Sequence, residues 1–359
     1  MPLKFRKVLI ADERYESAGV MDVNNNGMPD IVSGAFWYEG PDYKKAYKIG
    51  DVQAIGEYYD DFSTIAMDIN GDGNMDFITG GFWGNTLRWR ENPGEPGKEW
   101  PEHVIAECGN VESTRAWDVD GDGQIEIVPN TPPQALVVYK LITDANGKGT
   151  GEFKSIMIRE ESQGHGLGFG DITGNGKGDF ILANGWLEAP EGGIEGEWKF
   201  HEDFNLGSAS VPVLVEDVNG DGLNDIIVGQ SHGYGLDWWE QCRDGGKISW
   251  KKHSIDPHNS QYHDLQWADI DGDGKDELIT GKRYRAHCGG DPGAGDDVGI
   301  YYFKWDGESF SKQVIEYGPT RVGTGCGIFF ALADLNGNGR LDIVAPGKDG
   351  LYVFYNEGM

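Results

Sequence analysis

A chain of 359 residues with 60 acidic and 30 basic side chains has a formal charge of −30, which argues against nucleic acid or an anionic membrane surface as a partner. No stretch approaches the roughly 20 apolar residues of a membrane-spanning helix. Fifty-six glycines, with 12 Trp, 15 Tyr and 15 Phe, suit many short strands joined by tight turns.

Residues 4–10 read as a strand with no local partner, and the apolar run at 8–11 is too brief for a secretion signal. The chain is therefore expected to be cytoplasmic, or secreted if a signal peptide has been removed. From Asp22 onward the pattern D-x-[DNT]-x-[DN]-G-x-x-[DE] recurs, beginning at Asp22, Asp68, Asp118, Asp171, Asp217, Asp269 and Asp334, in steps of 46, 50, 53, 46, 52 and 65 residues. A small or apolar run precedes each copy, as at 18–21 and 331–333, and a β-rich run follows, as at 30–32 and 225–228. Each copy is thus a turn between two strands. A third strand follows at 87–89, 136–139, 236–239 and 300–303, and a fourth at 102–105, 154–158, 251–255 and 312–315.

Four strands per period make a propeller blade, and seven copies predict an all-β, seven-bladed β-propeller occupying 1–359 as one domain. The chain ends at 351–355 on a third strand lacking its fourth. Residues 1–10 are expected to supply it and close the ring without leaving an edge. The four cysteines, Cys108, Cys242, Cys288 and Cys326, form neither a C-x-x-C pair nor a disulfide framework.

The repeated turn has the chemistry of a calcium loop: side-chain oxygens at positions 1, 3 and 5, Gly at 6, and a returning carboxylate at 9. The expected ligands are Asp22, Asn24, Asn26 and Asp30 in the first loop, and Asp68, Asn70, Asp72 and Asp76 in the second. Asp118, Asp120, Asp122 and Glu126 follow, then Asp171, Thr173, Asn175 and Asp179. The last three sets are Asp217, Asn219, Asp221 and Asp225; Asp269, Asp271, Asp273 and Glu277; and Asp334, Asn336, Asn338 and Asp342. With four carboxylates each, the loops at Asp118 and Asp269 are expected to bind most tightly. The loops at Asp22, Asp171 and Asp334, with two each, are expected to bind weakly. This pattern resembles the FG-GAP and VCBS repeat propellers, and the integrin α-subunit head is similar; the resemblance implies a fold rather than one activity.

Because the acidic loops join first and second strands, they lie on one face of the disk. The segment entering each blade and the turn between second and third strands lie on the other. Four histidines fall there, on neighbouring blades: His165, His232, His263 and His287. Imidazoles from three separate loops, His165, His232 and His263, form an expected site for zinc or a similar divalent ion, with a position open for water or substrate. The fourth, His287, would complete the site or serve as an acid or base. The same rim holds Glu112, Arg115, Trp186, Glu188, Tyr234, Lys282, Arg283 and Tyr284, aromatic and hydrogen-bonding groups suited to a sugar.

The stretches 164–171, 185–188, 263–264 and 281–293 also resemble the propeller of aldos-2-ulose dehydratase and related bacterial VCBS proteins. That resemblance implies a zinc-dependent dehydratase acting on a keto sugar such as 1,5-anhydrofructose, although the chain has no room for the fungal enzyme's extra β-domains. The expected activity is β-elimination on a keto sugar or oxidised glycoside, with His287 or Glu112 as base and Tyr284 as acid. Arg115, Trp186, Tyr234, Asp264, Lys282 and Arg283 are the expected substrate contacts. Two alternatives stand beside it: a polysaccharide lyase in which Arg115, Lys282 or Arg283 grips a uronate, and a non-catalytic, calcium-stabilised propeller that binds carbohydrate or protein.

Overall fold

The computed structural model describes residues 3–359, so Met1 and Pro2 of the expected closing segment lie outside it. Its first strand, β1 (Lys4–Ala11), precedes six four-stranded antiparallel blades built in chain order. Blade 1 comprises β2 (Gly19–Met21), β3 (Asp30–Ser33), β4 (Phe36–Glu39) and β5 (Lys45–Lys48), and a small hairpin, β6 (Ala54–Ile55) and β7 (Tyr58–Tyr59), leads onward. Blade 2 comprises β8 (Ile65–Met67), β9 (Asp76–Gly80), β10 (Thr86–Arg90) and β11 (Glu102–Glu107). Blade 3 comprises β12 (Ser113–Trp117), β13 (Glu126–Asn130), β14 (Leu136–Thr143) and β15 (Gly149–Arg159). In blade 4 the strands are β16 (Leu167–Gly170), β17 (Asp179–Leu182), β18 (Gly185–Glu188) and β19 (Lys199–His201). Those of blade 5 are β20 (Leu214–Glu216), β21 (Asp225–Gly229), β22 (Tyr234–Asp244) and β23 (Lys247–Ser260). Blade 6 has β24 (Tyr262–Ala268), β25 (Glu277–Lys282), β26 (Val298–Trp305) and β27 (Phe310–Gly318).

The seventh blade takes β28 (Ala331–Ala333), β29 (Asp342–Ala345) and β30 (Leu351–Gly358) from the end of the chain and β1 from its beginning. Val8 faces Val353 and Arg6 faces Tyr355 across that seam. Every second strand is buried along its whole length. Side chains above and below it pack on the neighbouring blades, as Val128 and Val138 of blade 3 pack with Phe180 and Leu182 of blade 4. The hydrophobic core is therefore a ring of inter-blade layers, and it closes where Val344 and Val353 of blade 7 meet Ile31 and Tyr38 of blade 1.

The acidic loops are fastened to their blades by two recurring devices. The residue after the first Asp is always Val, Ile or Leu and is buried. In every blade but the fifth its amide donates to the ninth-position carboxylate, for example Val23 to Asp30 at 2.9 Å, Ile69 to Asp76 at 2.9 Å and Leu335 to Asp342 at 3.0 Å. In blades 1, 2, 4, 5 and 7 the other oxygen of that carboxylate accepts an amide from just beyond the third-strand pairing: Gly40, Asn92, Ala189, Gln241 and Asn356. In blades 1, 2, 4 and 7 the ninth residue thus clamps the loop to the blade through both oxygens.

A second repeated unit joins the third and fourth strands of four blades. Trp37, Trp89, Trp186 and Trp238 each lie opposite an aromatic residue of the fourth strand, respectively Tyr47, His103, His201 and His253. The rings stack at 4.0–4.5 Å. The Glu two residues after each Trp hydrogen-bonds the same partner, at 2.7–3.0 Å. Three of the histidines outside the rim are thereby accounted for as blade-packing groups.

Candidate metal centre

The rim histidines converge. One ligand atom each from Glu112, His165, His232 and His263 lies within 4.8 Å of the others, and a second set joins His232, His287 and Asp291. Each group sits on the face opposite the acidic loops. Glu112 lies on the segment entering blade 3, His165 on that entering blade 4, and His232 on the turn between β21 and β22. His263 is the second residue of β24.

Local backbone aims these rings. Gly164 and Gly166 flank His165 at φ 75° and 128°, and a Cβ on Gly166 would lie 2.5 Å from that of Ala209. Only glycine allows both the left-handed backbone and that approach. His165 Nδ1 then meets the Ala209 carbonyl at 2.9 Å, so this nitrogen carries the proton. His232 Nδ1 meets the Asp291 carboxylate at 2.8 Å and is likewise the N–H. The two Nε2 lone pairs consequently face each other at 3.0 Å. Two acceptors that close repel unless a cation lies between them.

His263 makes the same demand. It is fully buried, and neither ring nitrogen has a hydrogen-bond partner. A buried polar atom left unpaired costs about 1–3 kcal/mol. Burial, with positively charged neighbours led by Arg283, holds its pKa well below the ordinary value. Burial and then His165 bring His232 down to about 4. For Glu112, burial pushes upward, but His165, Arg283 and His232 outweigh it and keep the carboxyl below its usual range. Its oxygen lies 3.6 Å from His165 Nε2. Three imidazoles beside a carboxylate form a donor set suited to zinc-like ions, and Asp291 and Ala209 orient the rings as outer-shell partners do in metal sites.

His287 occupies the mouth. Its ring stacks on His232 at 4.2 Å, and Nδ1 donates to Asp291 Oδ1 at 2.7 Å. Arg285, His287 and Cys288 all have positive φ, at 51°, 47° and 54°, so this turn is held in a strained conformation beside the site. Lys282 is buried, and burial lowers its pKa to about 8. Its ammonium donates to Ser260 Oγ at 2.7 Å, to Gln261 Oε1 and to the Gly293 carbonyl, which fixes the loop carrying Asp291. Tyr234 remains exposed at the rim, its hydroxyl donating to Asp296 at 2.6 Å.

Several expected contacts are otherwise engaged. Arg115 and Asp264, on the inner strands of blades 3 and 6, form a buried ion pair at 2.7 Å, and Asp264 also accepts the Phe330 amide at 2.9 Å. Burial pushes Asp264 up to about 6, with Arg115 pulling against it. Arg283 is locked on Glu16 at 2.8 and 3.2 Å. These guanidinium groups serve protein carboxylates. Trp186 is buried between blades 4 and 5, with its Nε1 on Asp203, and Glu188 binds His201 and Lys199. Tyr284 lines a neighbouring cavity outside the four-residue cluster. The grouping of Glu112 with the three histidines as a ligand set, and the role of Asp291, were missed. Asp291 falls in the stretch 281–293 that carries the resemblance, and Glu112 was expected only as a base.

On the opposite face, carboxylate oxygens of Asp118, Asp120 and Asp122 converge, as do those of Asp269, Asp271 and Asp273. Each set already holds an ammonium. Lys140 Nζ lies 2.5, 2.7 and 3.0 Å from Asp120, Asp122 and Glu126, and Lys304 binds Asp271, Asp273 and Glu277 in the same way. The two loops with most carboxylates therefore each have an internal ammonium that would compete with a bound cation. The four cysteines are free, and no helix among the described residues is long and apolar enough to cross a membrane.

Residues 68–128 and 217–280 match the FG-GAP-like repeat. The chain carries FG-GAP-like repeats and folds as a seven-bladed β-propeller. No curated protein matches it. Among solved structures, the exotype rhamnogalacturonan lyase YesX is similar with a TM-score of 0.54 at 13% identity, over 100% of this chain and 75% of that one. The Bacillus licheniformis rhamnogalacturonan lyase PL11 gives 0.54 at 12% identity, over 99% and 76%. BBS1N, solved in complex with ARL6DN, gives 0.55 at 11% identity, over 99% and 97%. At such identities the likeness is one of fold.

Proposed function

We propose that this protein is a metal-dependent carbon–oxygen lyase that performs β-elimination on an oxidised sugar, either a keto sugar such as 1,5-anhydrofructose or a uronate. The observation that carries the reading is the pair of Nε2 lone pairs of His165 and His232 facing each other at 3.0 Å beside the unpartnered His263. Glu112, His165, His232 and His263 would hold the ion, zinc or a similar divalent metal. When bound, that ion supplies Lewis acidity that polarises a substrate carbonyl and so acidifies the neighbouring C–H.

The chain's own residues supply the proton transfers. With Nδ1–H committed to Asp291, His287 keeps a lone pair on Nε2 at the exposed mouth, as a general base requires. It takes the α-proton, the C–H electron pair becomes a carbon–carbon double bond, and the β C–O bond breaks. The protonated His287 returns the proton to the departing oxygen. Asp291 keeps the ring oriented and stabilises its charge. Two of the similar structures bear the name lyase, while BBS1N shares the fold without that name, so the reading rests on the site.

Transition-metal content of the purified protein, counted separately from calcium, tests the reading together with ultraviolet absorbance of the unsaturated product from 1,5-anhydrofructose and from an oligogalacturonate. About one transition-metal ion per chain and turnover of either substrate are expected. Protein that contains no transition metal and binds none on titration would leave a binding propeller as the better account.

A further inference from the structure

The turn between β25 and β26 serves two sites. His287 and Asp291 belong to the metal centre, whereas Tyr284 and Arg285 line a cavity of 220 Å³ beside it. Arg285 and His287 are two residues apart, at most about 7 Å of backbone. Arg14, Glu57, Arg321 and Lys348 also line that cavity. They come from the segments entering blades 1, 2 and 7 and from the turn between β29 and β30, all on the metal-centre face. The metal centre draws on blades 3 to 6, whereas these four residues come from blades 1, 2 and 7.

The cations here differ in how they are used. Arg285 is held by Glu57 through two bonds of 2.9 and 2.7 Å. Lys348 donates to the Arg285 carbonyl at 3.0 Å and lies 3.5 Å from Glu16. Arg14 and Arg321 are exposed and have no hydrogen-bond or ion-pair partner among the described residues. Arg321 nevertheless sits in a defined turn: its φ is 71°, and Val322 and Gly323 both donate to the Pro319 carbonyl at 2.9 Å. Asp12 and Asp349 also line the cavity, and Glu57 feels the charge of Arg14, but none of the three lies within ion-pair distance of Arg14 or Arg321. Two guanidinium groups with no hydrogen-bonded carboxylate on one cavity can together grip an anion from outside.

We infer that this cavity binds the carboxylate of an acidic sugar, with Arg14 and Arg321 as its ligands, so that the substrate is anionic. The inference rests on the lyase reading for what happens at the metal centre, not for binding itself. It selects the uronate over the neutral keto sugar. Tyr284 offers a phenol and a ring face to the pyranose next to that carboxylate.

Calorimetric titration of the full-length, metal-loaded protein with galacturonate, galactose and acetate tests it without turnover. Galacturonate should bind at least about tenfold more tightly than either of the others, as paired charge-assisted hydrogen bonds allow. The R14Q/R321N protein should lose that preference while keeping its melting temperature and metal content, Asn being chosen because it tolerates positive φ. R14K/R321K should retain the preference. Galactose or acetate binding as tightly as galacturonate would overturn the inference, as would undiminished galacturonate binding by R14Q/R321N. Failure of the lyase reading would appear instead as absent turnover or absent transition metal, with the carboxylate preference intact.

Discussion

Lys140 Nζ lies 3.0 Å from Glu126 Oε1, where blades 1, 2, 4, 5 and 7 place a backbone amide on the equivalent carboxylate. Blade 6 repeats the exchange with Lys304 and Glu277. These are also the two blades whose ninth loop residue is Glu and not Asp.

It follows that K140M/K304M should make these two loops more dependent on calcium than they are in the wild type. Without its ammonium, each loop gathers four carboxylates around an empty centre. In EDTA the double variant should melt about 5 °C below wild type, a few kcal/mol for a chain of this size, and calcium should restore it by mass action. Differential scanning calorimetry with and without calcium checks this; identical melting in EDTA would show that the lysines do not substitute for the ion.

Replacing a ligand and replacing its support should have separable effects. H263A should abolish transition-metal binding while leaving calcium content unchanged. D291N should keep the site but weaken metal affinity by about 10–100-fold, the usual cost of losing an outer-shell partner. Competition with a chromophoric chelator reads both affinities, and D291N affinity equal to wild type would remove Asp291 from the orienting role.

Glu13 donates a pH dependence to the seam between blades 7 and 1. Its carboxylate accepts the Tyr38 hydroxyl at 2.5 Å, and burial raises its pKa from 4.5 to about 7. The folded state thus binds the proton more tightly than the unfolded chain. The stabilisation is complete below pH 4.5 and is lost as pH rises through about 7. E13Q should therefore flatten the stability profile across that window and melt higher than wild type at pH 8. Urea unfolding at a series of pH values measures it; an unchanged slope would exclude Glu13 as the source.

Removing residues 1–11 should open the ring. Blade 7 would lose the strand that pairs β30 from Leu351 to Gly358, exposing an unpaired edge. A fall in melting temperature of at least about 10 °C, or loss of soluble protein, is expected. A truncated chain as stable as the full one would mean that β1 adds nothing to closure.

The blade repeat was legible because its signal is local: an Asp, two or three alternating oxygens and a Gly within nine residues, recurring at blade spacing, specify the turn regardless of surroundings. The same holds for His165, whose flanking glycines announce a close backbone approach. Arg115 shows where such reading stops. Its sequence neighbourhood suggests an available guanidinium, yet Asp264 claims it from a strand 149 residues away. Glu112 was legible as a rim carboxylate, but its grouping with the histidines arises from blades 3 to 6 meeting at one mouth.

By itself, the sequence determined the all-β class, the number of blades, the face bearing the acidic loops and the face bearing the histidines, because strand alternation and turn chemistry are short-range. Tertiary structure alone decided which charged groups are already paired. Lys140 and Lys304 fill the loops expected to be hungriest for calcium, and Glu16 and Asp264 absorb the arginines expected to meet substrate, while Arg14 and Arg321 stay free. Whether a polar group is spent on the protein or left for a ligand depends on burial and on the partners that distant strands bring within about 3 Å, and that distance exists only once the ring has closed.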